Sequence, residues 1–211
     1  EPLWLASRLG GRKKRRELKG EGEMKSIVLF GGTFNPIHEG HLAMCQAAYE
    51  ACSPEKVILL PSPSPHYKKT ERLLDAESRV QMCQLAVKTY PYIEVSDEEL
   101  RQTGPVYTVD TVKRMAQRFP GYLLYWLLGT DMLVRFTRWY HWQEICQYVT
   151  LLVAPREIPE LSELEESLRK LRQIGYEPRF LHATRIDISS TWIRNQVAAG
   201  DIPCGIPDSI R

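Results

Sequence analysis

The stretch SIVLFGGTFNPIHEGH, residues 26–41, decides how the chain is read. The run Ser26 to Phe30 is short, apolar and rich in β-branched and aromatic side chains, the pattern of a strand buried on both faces. It breaks at Gly31-Gly32 and leads into an amphipathic stretch, His41 to Ala51, with helical spacing. The same alternation recurs downstream. Further strands are expected at Lys56 to Pro61, Tyr92 to Val95, Tyr122 to Leu128, Tyr148 to Ala154 and Pro178 to Leu181. Helices are expected at Ala76 to Thr89, Thr108 to Arg118, Leu161 to Gln173 and Thr191 to Ala199. Repeated βα units predict an α/β fold, a doubly wound parallel sheet of Rossmann-like type, whose ligands bind beyond the carboxyl ends of the strands.

Composition narrows the class. The chain has 211 residues, 43% apolar and 26% charged, as in an ordinary folded protein, which excludes wholesale disorder and coiled-coil architecture. Residues 1–23 hold seven basic and four acidic side chains, including the run Arg12 to Arg16, which leaves 21 basic and 22 acidic for residues 24–211. Residues 1–23 are therefore read as a disordered basic extension and 24–211 as a single domain. Because the folded part is not basic, nucleic acid is disfavoured as a partner. Five widely spaced cysteines without a C-x-x-C pair fit reduced thiols and a cytoplasmic location. The longest apolar run, Tyr122 to Leu128, is far below the ~20 residues that span a bilayer, so no membrane partner is expected. Oligomeric state is left open, and a homo-oligomer is compatible with the sequence.

In the loop after the first strand, Gly31 and Gly32 let backbone N–H groups approach a ligand closely, with Thr33 and Phe34 next in line. Gly40 weakens the first helical turn, by about 1 kcal/mol relative to Ala, which suggests that something such as a flat base or sugar packs there. His38 and His41, three apart, would share a helix face at the end that favours anions. Two imidazoles there would donate to phosphate oxygens and offset developing charge. An ordinary helix start with two polar residues is the plain alternative, and a zinc site lacks further ligands nearby in sequence. No dinucleotide or P-loop fingerprint is present.

A second candidate phosphate site lies at Ile188-Ser189-Ser190-Thr191-Trp192-Ile193-Arg194. A serine would cap the last helix, and its free N–H groups with Arg194 would form an anion site.

Together, GGTFNPIHEGH and ISSTWIR resemble the H-x-G-H nucleotidyltransferase superfamily, in which the two segments flank the triphosphate of a nucleotide. Residues 26 to about 208 resemble bacterial nicotinate mononucleotide adenylyltransferases through further segments in the expected order: Pro65-His66-Tyr67-Lys68, Ser78-Arg79, Gly104 to Thr111, Gly129-Thr130-Asp131 and Arg138-Trp139-Tyr140. Asn35 stands where that family commonly has Asp. The resemblance implies adenylyl transfer from ATP to nicotinate mononucleotide in NAD biosynthesis, with Mg2+ arriving on ATP. It assigns His38, His41 and Arg194 to catalysis. ATP would be held by Gly31, Gly32, Thr33, Phe34, His38, Gly40, His41, Gly129, Asp131, Ile188, Ser189, Ser190 and Arg194. The mononucleotide would be held by His66, Lys68, Tyr107, Thr108 and Trp139. Trp139 offers a π-face for the pyridine ring, and Thr108 with nearby amides offers donors for an acceptor-only carboxylate. Competing readings are a relative that adenylylates nicotinamide mononucleotide or phosphopantetheine, and a binding module that uses the basic tail.

Overall fold

The computed structural model describes residues 24–63, 73–156, 160–183 and 186–210. Residues 1–23, the expected basic extension, and the loop that holds His66 and Lys68 lie outside the described residues. Six parallel strands form one sheet: β1 Ser26–Gly32, β2 Lys56–Pro61, β3 Ile93–Val95, β4 Leu123–Gly129, β5 Thr150–Ala154 and β6 Arg179–Phe180. Their spatial order is β3-β2-β1-β4-β5-β6, so the order reverses between β1 and β4. A crevice at the carboxyl edge is expected at that reversal, and β1 and β4 end there in Gly32 and Gly129.

Seven helices accompany the sheet among the described residues: α1 Glu39–Cys52, α2 Ala76–Ala86, α3 Thr108–Arg118, α4 Thr130–Phe136, α5 Trp142–Tyr148, α6 Leu161–Gln173 and α7 Ser190–Ala198. A 3₁₀ turn follows at Asp208–Ile210. Successive side chains of β1 feed two separate cores. Val28 and Phe30 pack with Leu42 and Cys45 of α1, whereas Ile27 and Leu29 pack with Val112 and Met115 of α3. Both faces are dry, which is why the strands read as continuous apolar runs rather than alternating ones. No helix among the described residues is long and apolar enough to cross a membrane.

The fold expectation holds, with corrections at the edges. The strand expected from Tyr148 begins at Thr150, because Tyr148 is the last residue of α5. Helices α4 and α5 are seven residues each, too short to display a helical period, and they form by burying Leu133, Phe136 and Ile145. Strand β6 shrinks to Arg179–Phe180, although the Leu181 amide still donates to the Val153 carbonyl at 2.8 Å. The last helix begins at Ser190, one residue earlier than expected, with Ser189 as its cap.

Candidate active site

The loop between β1 and α1 is shaped by side chains from within the chain. A Cβ on Gly31 would stand 2.7 Å from the indole of Trp126 on β4, so glycine is required there by the neighbouring strand. At Gly32 the ring of Phe34 takes the equivalent space. Phe34 itself is buried with φ at 46°, in the left-handed region, and the following Asn35–Pro36 peptide is cis. The ring of Phe34 meets that of His41 edge to face, at 5.0 Å between centroids.

His38 does not lie on the helix beside His41. It is the N-cap of α1 with extended backbone, φ −151°, and His41 is the third helical residue. The His38 amide donates to Nδ1 of His41 at 3.2 Å. With Nδ1 accepting, the proton of neutral His41 sits on Nε2 and makes that atom the donor. The two rings stack at 3.7 Å. A Cβ on Gly40 would come within 3.0 Å of the His38 ring and 3.7 Å of the Ile188 carbonyl, so the close neighbour that favours glycine is His38 together with the second loop.

Both imidazoles are held neutral. Burial first, and Arg156 second, push His38 down to about 3. His41 lies well below its ordinary value through burial, then the charges of His38 and Arg156. The histidines therefore bring hydrogen-bond donors to the site, and positive charge comes from arginines. Both ring nitrogens of His38 are buried and without a hydrogen-bond partner, as is Oδ1 of Asp131. Buried polar atoms in folded proteins are nearly always paired, so these three positions are candidates for contact with a polar ligand. His38 and Gly40 line a small pocket there with Met44, Arg156, Ala183 and Ile188.

The second loop meets the first across this pocket. Ser190 Oγ donates to the Pro36 carbonyl at 2.9 Å, and Arg194 Nη1 donates to the Asn35 carbonyl at 2.7 Å. Ser189 caps α7 by accepting the Trp192 amide at 3.2 Å. Segments about 150 residues apart in sequence are thus joined at one seam. The cap of α4 is Gly129, where a Cβ would fall on Asp131 and on Arg156. Asp131 Oδ2 stands 3.8 Å from Arg156 Nη1, and the Arg156 amide donates to Thr130 Oγ1 at 3.1 Å.

Sequence reading missed Arg156. The signal was available: it follows β5 by two residues, at the same carboxyl edge as Gly32 and Gly129. Of the remaining expected residues, Tyr107 caps α3 without a side-chain hydrogen bond, and Thr108 opens that helix. Trp139 is half-buried against Phe136 at 5.3 Å, while the more exposed Tyr140 packs on Tyr107 at 4.5 Å. Among the described residues no cluster of His, Cys, Asp and Glu could hold a metal ion.

Comparison with known proteins identifies the family. The cytidylyltransferase-like family matches residues 29–196. A Neisseria meningitidis protein named "Probable nicotinate-nucleotide adenylyltransferase" is 37% identical, covering 87% of this chain and 92% of its own. One of the same name from Lachnoclostridium phytofermentans is 31% identical over 89% of this chain and 95% of its own. Among solved structures, the Plasmodium falciparum nicotinic acid mononucleotide adenylyltransferase complexed with NaAD superposes with a TM-score of 0.60 at 19% identity, covering 81% of this chain and 83% of that one. At that identity the superposition speaks for the fold, and the sequence relatives speak for the family: the chain belongs to the nicotinate-nucleotide adenylyltransferases, within the cytidylyltransferase-like proteins.

Proposed function

We propose that this chain transfers the adenylyl group of MgATP to nicotinate mononucleotide, forming nicotinate adenine dinucleotide and pyrophosphate. The observation that carries the reading is the pair of unpartnered ring nitrogens of buried His38, at the seam where the loop after β1 meets the start of α7. The 5′-phosphate of the mononucleotide attacks the α-phosphorus in line, a P–O bond forms, and the bond to the β-phosphate oxygen breaks. That nucleophile is already ionised at neutral pH, so no general base is required, and catalysis rests on positioning and charge stabilisation.

His38 and Nε2 of His41 donate to phosphate oxygens, and Arg156 and Arg194 supply the positive charge that neutral imidazoles cannot. Ser190 and Arg194 hold the two loops together through the Pro36 and Asn35 carbonyls, and Ser189 caps α7. Gly31, Gly32, Thr33, Phe34, Gly40 and Ile188 shape the phosphate loop, and Asp131 beyond Gly129 offers its partnerless oxygen to a ribose hydroxyl. The carboxylate of the nicotinate ring is received at the uncapped start of α3, by Thr108 and the amides near Tyr107, with Trp139 against the pyridine ring. His66 and Lys68 are assigned to binding the mononucleotide phosphate in this reading. Mg2+ carried on ATP would screen the phosphates.

Pyrophosphate release by the full chain with MgATP tests the reading. Nicotinate mononucleotide is expected to support turnover at least about tenfold faster than nicotinamide mononucleotide, the factor that 1.4 kcal/mol of discrimination provides. Equal rates would refute the acid preference, and no turnover with either would refute the reaction.

A further inference from the structure

Arg79 has so far played no part, yet it is the largest fully buried side chain among the described residues, at 2% exposure. A buried guanidinium ordinarily faces a carboxylate, because desolvating a charge is costly unless it is paired. Arg79 forms no ion pair among the described residues. It donates instead to three backbone carbonyls: Nη1 to Thr33 at 2.7 Å and to Ser62 at 2.8 Å, and Nε to Leu74 at 3.1 Å. Burial opposes its charge, and the nearby Asp75 favours it.

The three carbonyls belong to different parts of the chain. Thr33 lies in the loop after β1, Ser62 follows β2, and Leu74 precedes α2. Two of them return the contact to that same loop. The Ser62 amide donates to the Gly32 carbonyl at 2.8 Å, and the Leu74 amide donates to Asn35 Oδ1 at 3.3 Å. Residues 32, 33 and 35 are therefore fixed from the α2 side by a web centred on Arg79, while Ser190 and Arg194 fix the loop from the α7 side. In a trans peptide the carbonyl and the next N–H point in opposite directions. Drawing the Thr33 carbonyl onto Arg79 thus turns the Phe34 amide away from Arg79 and sets the orientation of the loop's dipoles.

We propose that Arg79 is a positioning residue for adenylyl transfer: its planar fork holds the Thr33 carbonyl with those of Ser62 and Leu74, and so presets the phosphate loop before ATP binds. This rests on the reading of residues 31–41 as the loop that receives the ATP phosphates. A planar group with several fixed N–H vectors is needed to serve three divergent acceptors, which a lysine ammonium on a flexible stem does not reproduce. The charge itself is secondary to that geometry.

Amide exchange followed by NMR on the ligand-free full chain, with kcat and KM for both substrates, tests the proposal. In Arg79→Lys the Ser62 and Leu74 amides are expected to exchange about tenfold faster, because opening there is local, while the sheet amides of Val57 and Ser96 keep wild-type rates. The rate constant kcat is expected to fall about 10²-fold, the cost of misplacing reacting groups by about 1 Å, with KM for nicotinate mononucleotide changed by less than about threefold. Millimolar guanidinium added to Arg79→Ala is expected to restore part of the lost kcat. Unchanged exchange at both amides, or kcat within about threefold of wild type, overturns the proposal. Exchange that rises evenly through the sheet, or failure of Arg79→Lys and Arg79→Gln alike to fold, assigns Arg79 to fold stability and also overturns it. A wild-type chain without turnover would refute the reaction, while the two amides would still decide whether the clamp exists.

Discussion

The imidazoles of His38 and His41 lie almost parallel, 26° between planes and 3.7 Å between centroids, in a site where the charge of Arg156 acts on both rings. Two imidazolium rings could not share that stack, and burial alone disfavours even one. The pair is therefore a neutral unit at physiological pH, and its protonation state ties stability to acid.

The sign follows from linkage. In the unfolded chain His38 takes a proton near its ordinary value of 6.5, and in the fold only near 3, so between those values the unfolded state binds more protons. The stabilising contribution is complete above pH 6.5 and is lost as pH falls towards 3. At pH 5 the part already lost amounts to about 2 kcal/mol from His38, with His41 acting in the same direction. Melting temperature measured from pH 8 to pH 4 is expected to drop below pH 6.5, and His38→Asn is expected to flatten that drop. An equal slope in both proteins would contradict neutral burial of this ring.

Glu99 acts in the opposite direction. It is buried, its Oε1 accepts from Thr111 Oγ1 of α3 at 2.7 Å, and burial pushes its carboxyl up to about 7. The fold holds this proton where the unfolded chain, near 4.5, has released it. Its contribution is complete below pH 4.5 and is lost as pH rises through 7, by about 3 kcal/mol at most. Glu99→Gln keeps the acceptor for Thr111 and removes the titration. The variant is expected to melt higher than wild type at pH 8 and no higher at pH 4.5. A variant less stable at both pH values would refute the shift.

His41 separates chemistry from capping. Its Nδ1 satisfies the His38 amide, so His41→Ala both deletes the Nε2 donor and leaves a buried N–H unpaired, at about 1–3 kcal/mol. Asparagine offers an oxygen near the position of Nδ1 and no donor in place of Nε2. His41→Asn is thus expected to melt close to wild type and to lose about 10²–10³ in kcat, the range for removing one transition-state donor. Turnover within about tenfold of wild type would assign His41 to capping alone.

How far the sequence revealed this site depends on the kind of interaction. The sheet and the loop after β1 were legible because apolar runs and glycines are local signals. The reasons for those glycines were not, since Trp126 and Phe34 fill the spaces only in three dimensions. His38 and His41 were found, but their spacing suggested one helix face, whereas the chain turns at the cap and stacks the rings. Arg79 and Arg156 went unassigned because their partners are carbonyls, rings and a carboxylate from other loops and helices, which leave no mark in sequence spacing. The short helices α4 and α5 are held by tertiary burial of single residues, and a period of 3.6 cannot be read from seven positions.

The seam between the loops can be probed at Gly205. Its φ is 80°, where a side chain is strained by about 1–2 kcal/mol, and an added Cβ would fall 2.1 Å from Ile188 Cδ1. Its carbonyl accepts the Glu39 amide at 2.9 Å, the first N–H of α1, so the C-terminal segment touches both phosphate-side elements at once. Gly205→Ala is expected to lower stability by about 2–4 kcal/mol, part backbone strain and part overpacking. Adding Ile188→Ala removes the clashing atoms and is expected to recover the overpacking part only, so the double variant stays about 1–2 kcal/mol below Ile188→Ala. Strictly additive losses in the double-mutant cycle, read by denaturant unfolding, would show that residues 188 and 205 do not press on each other and that the tail does not brace the second loop.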